Sequence, residues 1–447
     1  MLFNSLTFAV FLAIVLPLYY FLKDYRKQNA MLLAASYVFY GWWNWKFLSL
    51  LWLSTVADFF IARRLNRLPD GRKRDALLYL SVGLNLAYLG VFKYFNFFFG
   101  RFGTLDVLLP VGISFYTFQS ISYIVDVYRN KREHTEDFVA YALYISYFPH
   151  LVAGPIQRST QLLPQLLEPR TVRKEQIRSG ALLMLVGYFK KVAIADAVAP
   201  IVSAVFANPG GWSRGNLLLA VYLFAIQIYG DFAGYTDIAR GVSRLMGVEL
   251  RLNFRQPYLS ADVTEFWKRW HISLSEWLRD YLYISLGGNR LGALRTYANL
   301  MITMLLGGLW HGASWTFVVW GGLHGLYLCA HKLFSLRLPR ILSILLTFHL
   351  VCLTWIFFRA PTIGAAWEFL RGLAFNGGPA SRGWLIETAF YASLILAVDL
   401  PAWARDEEQP FSPTWPALAR GLAYGAMAAM CLWVGSPNGA PFIYFQF

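Results

Sequence analysis

Three histidines occupy residues 307–332, GGLWHGASWTFVVWGGLHGLYLCAHK, a stretch dominated by glycine, aromatic and aliphatic residues. His311 and His324 are each followed directly by glycine. An ionisable side chain in an apolar segment is costly, so it is by default a candidate for function. His311 is therefore a candidate functional residue, and a hydrogen bond between helices is the alternative.

The surroundings of His311 are consistent with either role. At ~1.5 Å of rise per helical residue, His311 would lie roughly 24 Å from the basic flank at Arg295, deep in the apolar segment. Gly307, Gly308 and Gly312 remove side chains around it, which permits close helix approach or leaves room for a ligand.

A second histidine of interest, His271, lies in the stretch SADVTEFWKRWHISLSEWLRDYLYISL, residues 260–286. Apolar residues recur there at three- and four-residue steps, which is the spacing of one helical face. They are Phe266, Trp270, Leu274, Trp277, Leu278 and Tyr281. The opposite side is charged, so the pattern predicts one amphipathic helix in the membrane interface. His271 falls beside Trp270, where its side chain would point into protein or lipid.

The remaining histidines have weaker claims to chemistry. For His324 a helix-packing role is favoured, whereas His150, in a segment broken by proline and glycine, could line a cavity. His349 is interpreted as structural, and His331 and His134 as interfacial or solvated. No metal-ligand spacing such as HExxH occurs, so no metal site is expected.

Two carboxylates, Asp231 and Asp237, end an apolar run in YGDFAGYTDIARG, residues 229–241. They are interpreted as partners of a basic residue or as a polar rim, with a proton relay as the less favoured alternative.

The composition indicates the setting for these residues. The chain has 447 residues, of which 57% are hydrophobic and 15% charged, and its apolar runs approach membrane-spanning length. The chain has a net charge of +15, and its basic residues lie mainly between the apolar runs. In such positions basic residues are expected to set the membrane topology and to contact anionic lipid, and not nucleic acid. The cysteines, Cys329, Cys352 and Cys431, are expected to serve packing.

The order of the apolar runs predicts an all-α, polytopic membrane protein. Residues 7–22 are expected to be a retained first span. Residues 31–62 and 297–331 are each expected to cross and return as a tight helix pair, or to dip partway into the membrane. Residues 138–155 suit a re-entrant or broken helix. We predict about twelve crossings, with interfacial and re-entrant helices, in a single domain spanning residues 1–447 with its catalytic core at about 107–335.

Several long motifs resemble the membrane-bound O-acyltransferase family. They include EFWKRWHISLSEWLRDYLYISLGGNR (265–290), NLMITMLLGGLWHGASWTFVVWGGLHG (299–325), LPVGISFYTFQSISYIVDVYR (109–129) and FPHLVAGPIQR (148–158). Further matches are ASYVFYGWWNWKFL (35–48), DFAGYTDIARG (231–241) and FIYFQF (442–447). The resemblance spans nearly the whole chain and is closest to members that O-acetylate bacterial alginate.

The resemblance implies a function for the two leading histidines. The histidine of the WHG motif maps onto His311 and is expected to be catalytic, as base or as a ligand of the donor. The histidine of the RWH motif maps onto His271, which could orient the donor or hydrogen-bond its carbonyl. The implied fold is the helical bundle of that family.

The resemblance also implies a substrate and partners. The implied activity moves acetyl groups from cytoplasmic acetyl-CoA, with no bound cofactor, across a bacterial inner membrane for O-acetylation of an exported polysaccharide such as alginate. The implied partners are the lipid bilayer and a periplasmic acetyltransferase protein. The alternatives are O-acylation of cellulose, peptidoglycan or teichoic acid, and transport of an acyl group without catalysis; the absence of inverted repeats and of paired intramembrane carboxylates argues against transport.

Overall fold

The computed structural model describes residues 1–106, 108–334, 338–408, 410–411, 414–434 and 442–443, and these contain helices and no strand. The helices are α1 (Leu6–Phe21), α2 (Tyr25–Gly41), α3 (Phe47–Arg67), α4 (Arg72–Leu89), α5 (Phe95–Phe99), α6 (Ile113–Tyr128), α7 (Phe138–Ser146), α8 (Phe148–Leu151), α9 (Ser159–Leu167), α10 (Lys174–Tyr188), α11 (Asp196–Ala207), α12 (Arg214–Leu245), α13 (Val263–Arg269), α14 (Ile272–Trp277), α15 (Ala293–His311), α16 (Trp315–Leu333), α17 (Arg340–Arg359), α18 (Ile363–Phe375), α19 (Arg382–Arg405) and α20 (Ala417–Val434). Turns of π-helix follow α4, α10 and α14, at Gly90–Tyr94, Phe189–Ala195 and Leu278–Tyr283.

The chain divides into two compact units, and the first comprises residues 1–184 and 236–251. The apolar stretch 31–62 forms two helices, α2 and α3, as expected for a helix pair, while their crossing of the membrane stays a prediction. Residues 138–155 are broken, as predicted: α7 ends at Ser146, and α8 begins at Phe148 with Pro149 in its first turn. Proline is tolerated there because the first-turn N–H groups have no partner within the helix.

The second unit comprises residues 185–235 and 252–447. The apolar stretch 297–331 forms the predicted pair, α15 and α16, which are joined by three residues. A Cβ atom at Gly308 would collide with the carbonyl oxygen of Phe317, and one at Gly321 with the carbonyl oxygen of Met304. The two backbones therefore touch at a pair of glycines, which confirms that glycine near His311 permits close helix approach.

The prediction of one amphipathic helix over residues 260–286 is wrong. Two short helices, α13 and α14, are separated by Trp270 and His271, and a π-helical turn follows α14. The break occurs because His271 adopts φ 42° and ψ 54°, in the left-handed region. A right-handed helix cannot continue through such a residue. The side-chain periodicity survives because the break is short, so the pattern alone did not reveal it.

Within the described residues, five helical segments are long and apolar enough to cross a membrane. They are Arg72–Phe99, Arg214–Leu245, Arg340–Arg359, Arg382–Arg405 and Ala417–Val434. This is consistent with a multi-pass helical protein, while the count of about twelve crossings stays a prediction.

Candidate active site

His311 is the last residue of α15, at the tip of the α15–α16 pair. Its side chain is buried, with 5% of its surface exposed. Aromatic rings enclose it: the ring centroids of Trp310 and Trp320 each lie 5.0 Å from that of His311, and the Phe358 centroid lies 5.4 Å away. Such a surrounding excludes water, so the electrostatic interactions of a dipole or proton donor with His311 are stronger there than in solvent.

His271 lies between α13 and α14 and is fully buried, with 0% of its surface exposed. A non-glycine residue with positive φ costs free energy, and such conformations cluster at functional sites. The turn is held by Asn253, whose backbone carbonyl accepts a hydrogen bond from the Ile272 N–H at 2.9 Å. The side-chain oxygen of Asn253 also accepts bonds from the backbone N–H and the hydroxyl of Ser273, at 3.2 and 2.9 Å.

The same oxygen fixes which nitrogen of His271 carries a hydrogen. Asn253 Oδ1 lies 3.1 Å from His271 Nδ1, and an oxygen that already accepts from the Ser273 N–H can only accept here too. Nδ1 is therefore protonated, and Nε2 carries the lone pair in the neutral ring. Burial lowers the pKa of His271 to about 3, so the ring stays neutral near pH 7. In this form Nε2 accepts a hydrogen bond and does not donate one.

The two leading histidines are close together. Their ring centroids are 6.4 Å apart, with an angle of 64° between the ring planes. Trp310 contacts both rings, at 5.9 Å from His271 and 5.0 Å from His311. The structure thus brings together, in one unit and in one buried aromatic surrounding, two imidazoles that are 40 residues apart in the sequence (311 − 271 = 40). In such a pair, one imidazole can accept and donate a proton while the other orients a reactant beside it.

His324 lies near this pair but is held differently. The Thr354 hydroxyl donates to the Val351 carbonyl at 2.7 Å, so it accepts from His324 Nε2 at 3.0 Å. The ring packs between Trp267 and Trp320, at centroid distances of 5.0 and 4.8 Å. A bond from α16 to α17 within packed aromatic rings favours the helix-packing role for His324.

The other histidines have separate surroundings. His150, in the first unit, is buried beside Gln119 and the Tyr144 carbonyl. His349 makes hydrogen bonds to the Tyr222 hydroxyl and the Leu345 carbonyl, and His331 lies 3.6 Å from a carboxylate oxygen of Asp262. Over the described residues, no group of three or more His, Cys, Asp or Glu is arranged to hold a metal ion.

Asp231 has the basic partner that the sequence suggested. Its carboxylate lies 2.7 Å from Lys191 Nζ, and both side chains are buried. Asp237 is also buried, at 9% exposure. The interpretation of Asp231 as a partner of a basic residue is confirmed.

Sequence reasoning missed Asn253, Trp310 and Trp320 as parts of the site. Nothing in the sequence spacing connects Asn253 with His271, which comes 18 residues later. In the sequence, Trp310 and Trp320 cannot be distinguished from the other aromatic residues of the apolar segments. Their role follows from their contacts with His311 and can be seen only in three dimensions.

A helical protein with apolar spans and a buried histidine pair fits an enzyme of the membrane, and comparison with known proteins identifies which class. The sequence model of the MBOAT, membrane-bound O-acyltransferase family, matches residues 130–357, a range that includes both histidines. The probable alginate O-acetylase AlgI of Azotobacter vinelandii is 43% identical over 387 residues, covering 81% of this chain and 77% of the relative.

Two further relatives support the same assignment. The probable alginate O-acetylase AlgI of Pseudomonas aeruginosa is 43% identical over 81% of this chain and 74% of its own length. The peptidoglycan O-acetyltransferase of Helicobacter pylori is 36% identical over 83% of this chain and 80% of its own length. The chain belongs to the membrane-bound O-acyltransferase family, and it is a multi-pass membrane enzyme that transfers acyl groups to oxygen.

Proposed function

We propose that the protein transfers acetyl groups for the O-acetylation of an exported polysaccharide, with an alginate-like polymer as the acceptor. The observation that carries this proposal is the buried pair of His271 and His311, 6.4 Å apart, within the region that matches the family. The acceptor class rests on the relatives named as alginate O-acetylases, which are 43% identical over 81% of this chain.

The chemistry proposed for the pair is acyl transfer from a thioester to a hydroxyl. The acceptor oxygen attacks the thioester carbonyl carbon, the carbon–sulfur bond breaks, and the hydroxyl proton passes to His311 and then to the departing thiolate. General-base help of this kind contributes about 10²–10⁴ in rate. The aromatic rings around His311 exclude water, which favours transfer to the acceptor over hydrolysis.

The structure favours one of the two roles considered for His271. With its Nδ1 hydrogen directed to Asn253, the neutral ring can only accept at Nε2. It therefore cannot donate to the thioester carbonyl. We assign His271 the orienting role, in which Nε2 accepts a hydrogen bond from an amide N–H of the donor's pantetheine arm or from the acceptor hydroxyl.

The setting proposed for this reaction is the bacterial inner membrane. Acetyl-CoA from the cytoplasm is the proposed donor, and a periplasmic acetyltransferase protein is the proposed partner that receives the acetyl group or presents the polymer. The chain would act as one domain with about twelve crossings and with its catalytic core at about 107–335.

Peptidoglycan is a second candidate acceptor. The peptidoglycan O-acetyltransferase of Helicobacter pylori is 36% identical over 83% of this chain, slightly more than the 81% matched by the two alginate relatives named above. The same histidine pair would serve both acceptors, because each presents a sugar hydroxyl to the donor.

The test is His311→Ala in cells lacking the native copy, with protein level in the membrane measured by blotting. Acetyl content of the exported polymer and of peptidoglycan should be measured in the same cells. Loss of acetyl from one polymer at normal protein level supports catalysis by His311 and names the acceptor. His331→Ala is the matched control, since that histidine is 42% exposed and lies outside the pair.

Unchanged acetylation of both polymers in His311→Ala would contradict the proposal. It would show that His311 serves packing, and the transfer mechanism would then be wrong for this chain.

A further inference from the structure

A buried ion cluster lies in the second unit. Lys191 Nζ lies 2.7 Å from a carboxylate oxygen of Asp196 and 2.7 Å from one of Asp231. Lys191 belongs to the π-helical turn that follows α10, and Asp231 belongs to α12. The cluster holds one ammonium group and two carboxylates, so loss of Lys191 would leave buried carboxylates without a compensating charge.

Asp231 does more than pair with this lysine. Its second carboxylate oxygen accepts a hydrogen bond from the backbone N–H of Ile443 at 2.6 Å. Phe442 and Ile443 are each only 1% exposed. A charge-assisted bond to a buried backbone N–H is among the stronger hydrogen bonds in proteins. Asp231 therefore fastens residues 442–443 to the interior of the second unit.

The Phe232 ring connects residue 442 with the histidine pair. The Phe442 ring packs against Phe232 and Tyr235, at centroid distances of 5.8 and 4.6 Å. Phe232 in turn contacts the His271 ring edge-on, at 4.7 Å and 87°. Two consecutive ring contacts thus lead from residue 442 to His271.

We propose that Asp231 is a positioning residue for acyl transfer, which acts by holding residues 442–443 against Phe232 and thereby bracing His271. This inference rests on the proposed function for its effect on activity, whereas the anchoring itself can be measured independently. His271 is held from one side by Asn253 and braced from another by Phe232. Loss of the brace would let the ring turn away from the orientation that presents Nε2.

Asp231→Asn tests the anchor with almost no change in shape. An asparagine offers only one oxygen, so either Lys191 or the Ile443 N–H loses its acceptor. Because the ammonium group competes strongly for that oxygen, the amide NH2 group would face the Ile443 N–H, and two donors would oppose each other. Asp399→Asn is the matched control, because Asp399 is equally buried and accepts from the Tyr229 hydroxyl at 3.1 Å.

The anchor is read by thiol labelling of the full-length protein in native membranes. Ile443→Cys is introduced after the three cysteines, Cys329, Cys352 and Cys431, are replaced by alanine. With Asp231 intact the new thiol should be protected, and Asp231→Asn should raise its labelling rate about tenfold or more, as expected for loss of a charged hydrogen bond. Asp399→Asn should leave the protection in place.

A neutral variant separates the anchor from the ion cluster as such. Lys191→Met, Asp196→Asn and Asp231→Asn together remove all three charges and leave the amide oxygen at position 231 available to the Ile443 N–H. If Asp231 positions residues 442–443, this variant should regain both thiol protection and acetyl transfer relative to Asp231→Asn alone. A role limited to ionic stabilisation would predict no recovery.

The outcomes distinguish this inference from the proposed function. Protection that persists in Asp231→Asn, or acetyl transfer that stays normal when protection is lost, would overturn the positioning role. If His311→Ala keeps full acetylation, the proposed function fails, but the labelling result still decides whether Asp231 anchors residues 442–443.

Discussion

His271 and His324 are both fully buried histidines of the second unit, and each makes a hydrogen bond to a neighbouring side chain. They differ in which nitrogen is used and in the backbone that carries it. His271 donates from Nδ1 to Asn253 and stands in a left-handed turn, whereas His324 donates from Nε2 to Thr354 and stands in the regular helix α16. His271 thus directs the lone pair of Nε2, at the far end of its ring, away from the backbone.

The difference shows how a structural histidine can be told from a functional one. The hydrogen bond of His324 connects two helices and would be useful to any packed bundle. The left-handed turn at His271 costs about 1–2 kcal/mol relative to a right-handed backbone, so its presence needs a reason. The reason proposed here is orientation, because a continuous helix would direct this ring elsewhere.

The largest expected effect is the contrast between His271→Gln and His324→Gln. Loss of the orienting imidazole at position 271 should lower acetyl transfer about 10²-fold, because a reactant misplaced by about 1 Å reacts about 10² times more slowly. At position 324 the glutamine amide can still donate to Thr354, so the loss should stay below about tenfold. Polymer acetyl content per unit of membrane protein measures both, and equal losses would contradict the contrast.

The next largest effect is expected at Asn253, whose side-chain oxygen holds the His271 turn through hydrogen bonds. Asn253→Ala removes the acceptor of three hydrogen-bond donors, and we expect acetyl transfer to fall about 10–100-fold as the ring loses its orientation. Asn253→Asp keeps an acceptor oxygen for these donors and should retain more activity than the alanine variant. If the two variants lose activity equally, Asn253 does not orient His271 through its side-chain oxygen.

The corresponding change on the structural histidine should affect stability and not catalysis. Thr354→Val removes the acceptor of His324 while preserving shape, and should lower the free energy of unfolding by about 1–3 kcal/mol. Acetyl transfer per folded molecule should stay within about threefold of wild type, because His324 does not contact the reactants. Thermal unfolding in detergent, with acetyl transfer measured in parallel, checks this expectation.

The smallest expected effect is a pH dependence of stability. Burial lowers the pKa of folded His271 to about 3 from its ordinary 6.5, so between these values the unfolded chain binds the extra proton. Stability from this group is complete above pH 6.5 and is lost on acidification, by about 2 kcal/mol at pH 5. The unfolding midpoint should therefore fall further between pH 7 and pH 5 in wild type than in His271→Gln.

The sequence predicted the parts of this site that depend on local pattern. His311 stands out because it is ionisable in an apolar run, and Gly308 and Gly312 indicate close packing beside it. The helix pairs follow from the length of the apolar stretches and the charge at their ends. These are properties of neighbouring residues, which a linear sequence records directly.

The remaining features depend on distant contacts or on single dihedral angles. The 3.6-residue pattern continues across His271, so the left-handed break leaves no trace in it. Asn253 gives no signal because its partners come 18 and 20 residues later. The pairing of Asp231 with Lys191 was anticipated only as a basic partner of unknown identity, since many basic residues were available.

The left-handed turn at His271 also bears on how this chain can lose its activity. Asparagine and aspartate are, with histidine, the non-glycine residues that tolerate this conformation best. Both can be reached from either histidine codon by one base change. A lineage released from selection for acetyl transfer could therefore exchange the imidazole at a single step and keep the backbone of the turn. Sequence alignments would continue to group such descendants with the active enzymes. The amino acid at position 271 would then be the sign that acetyl transfer had been lost.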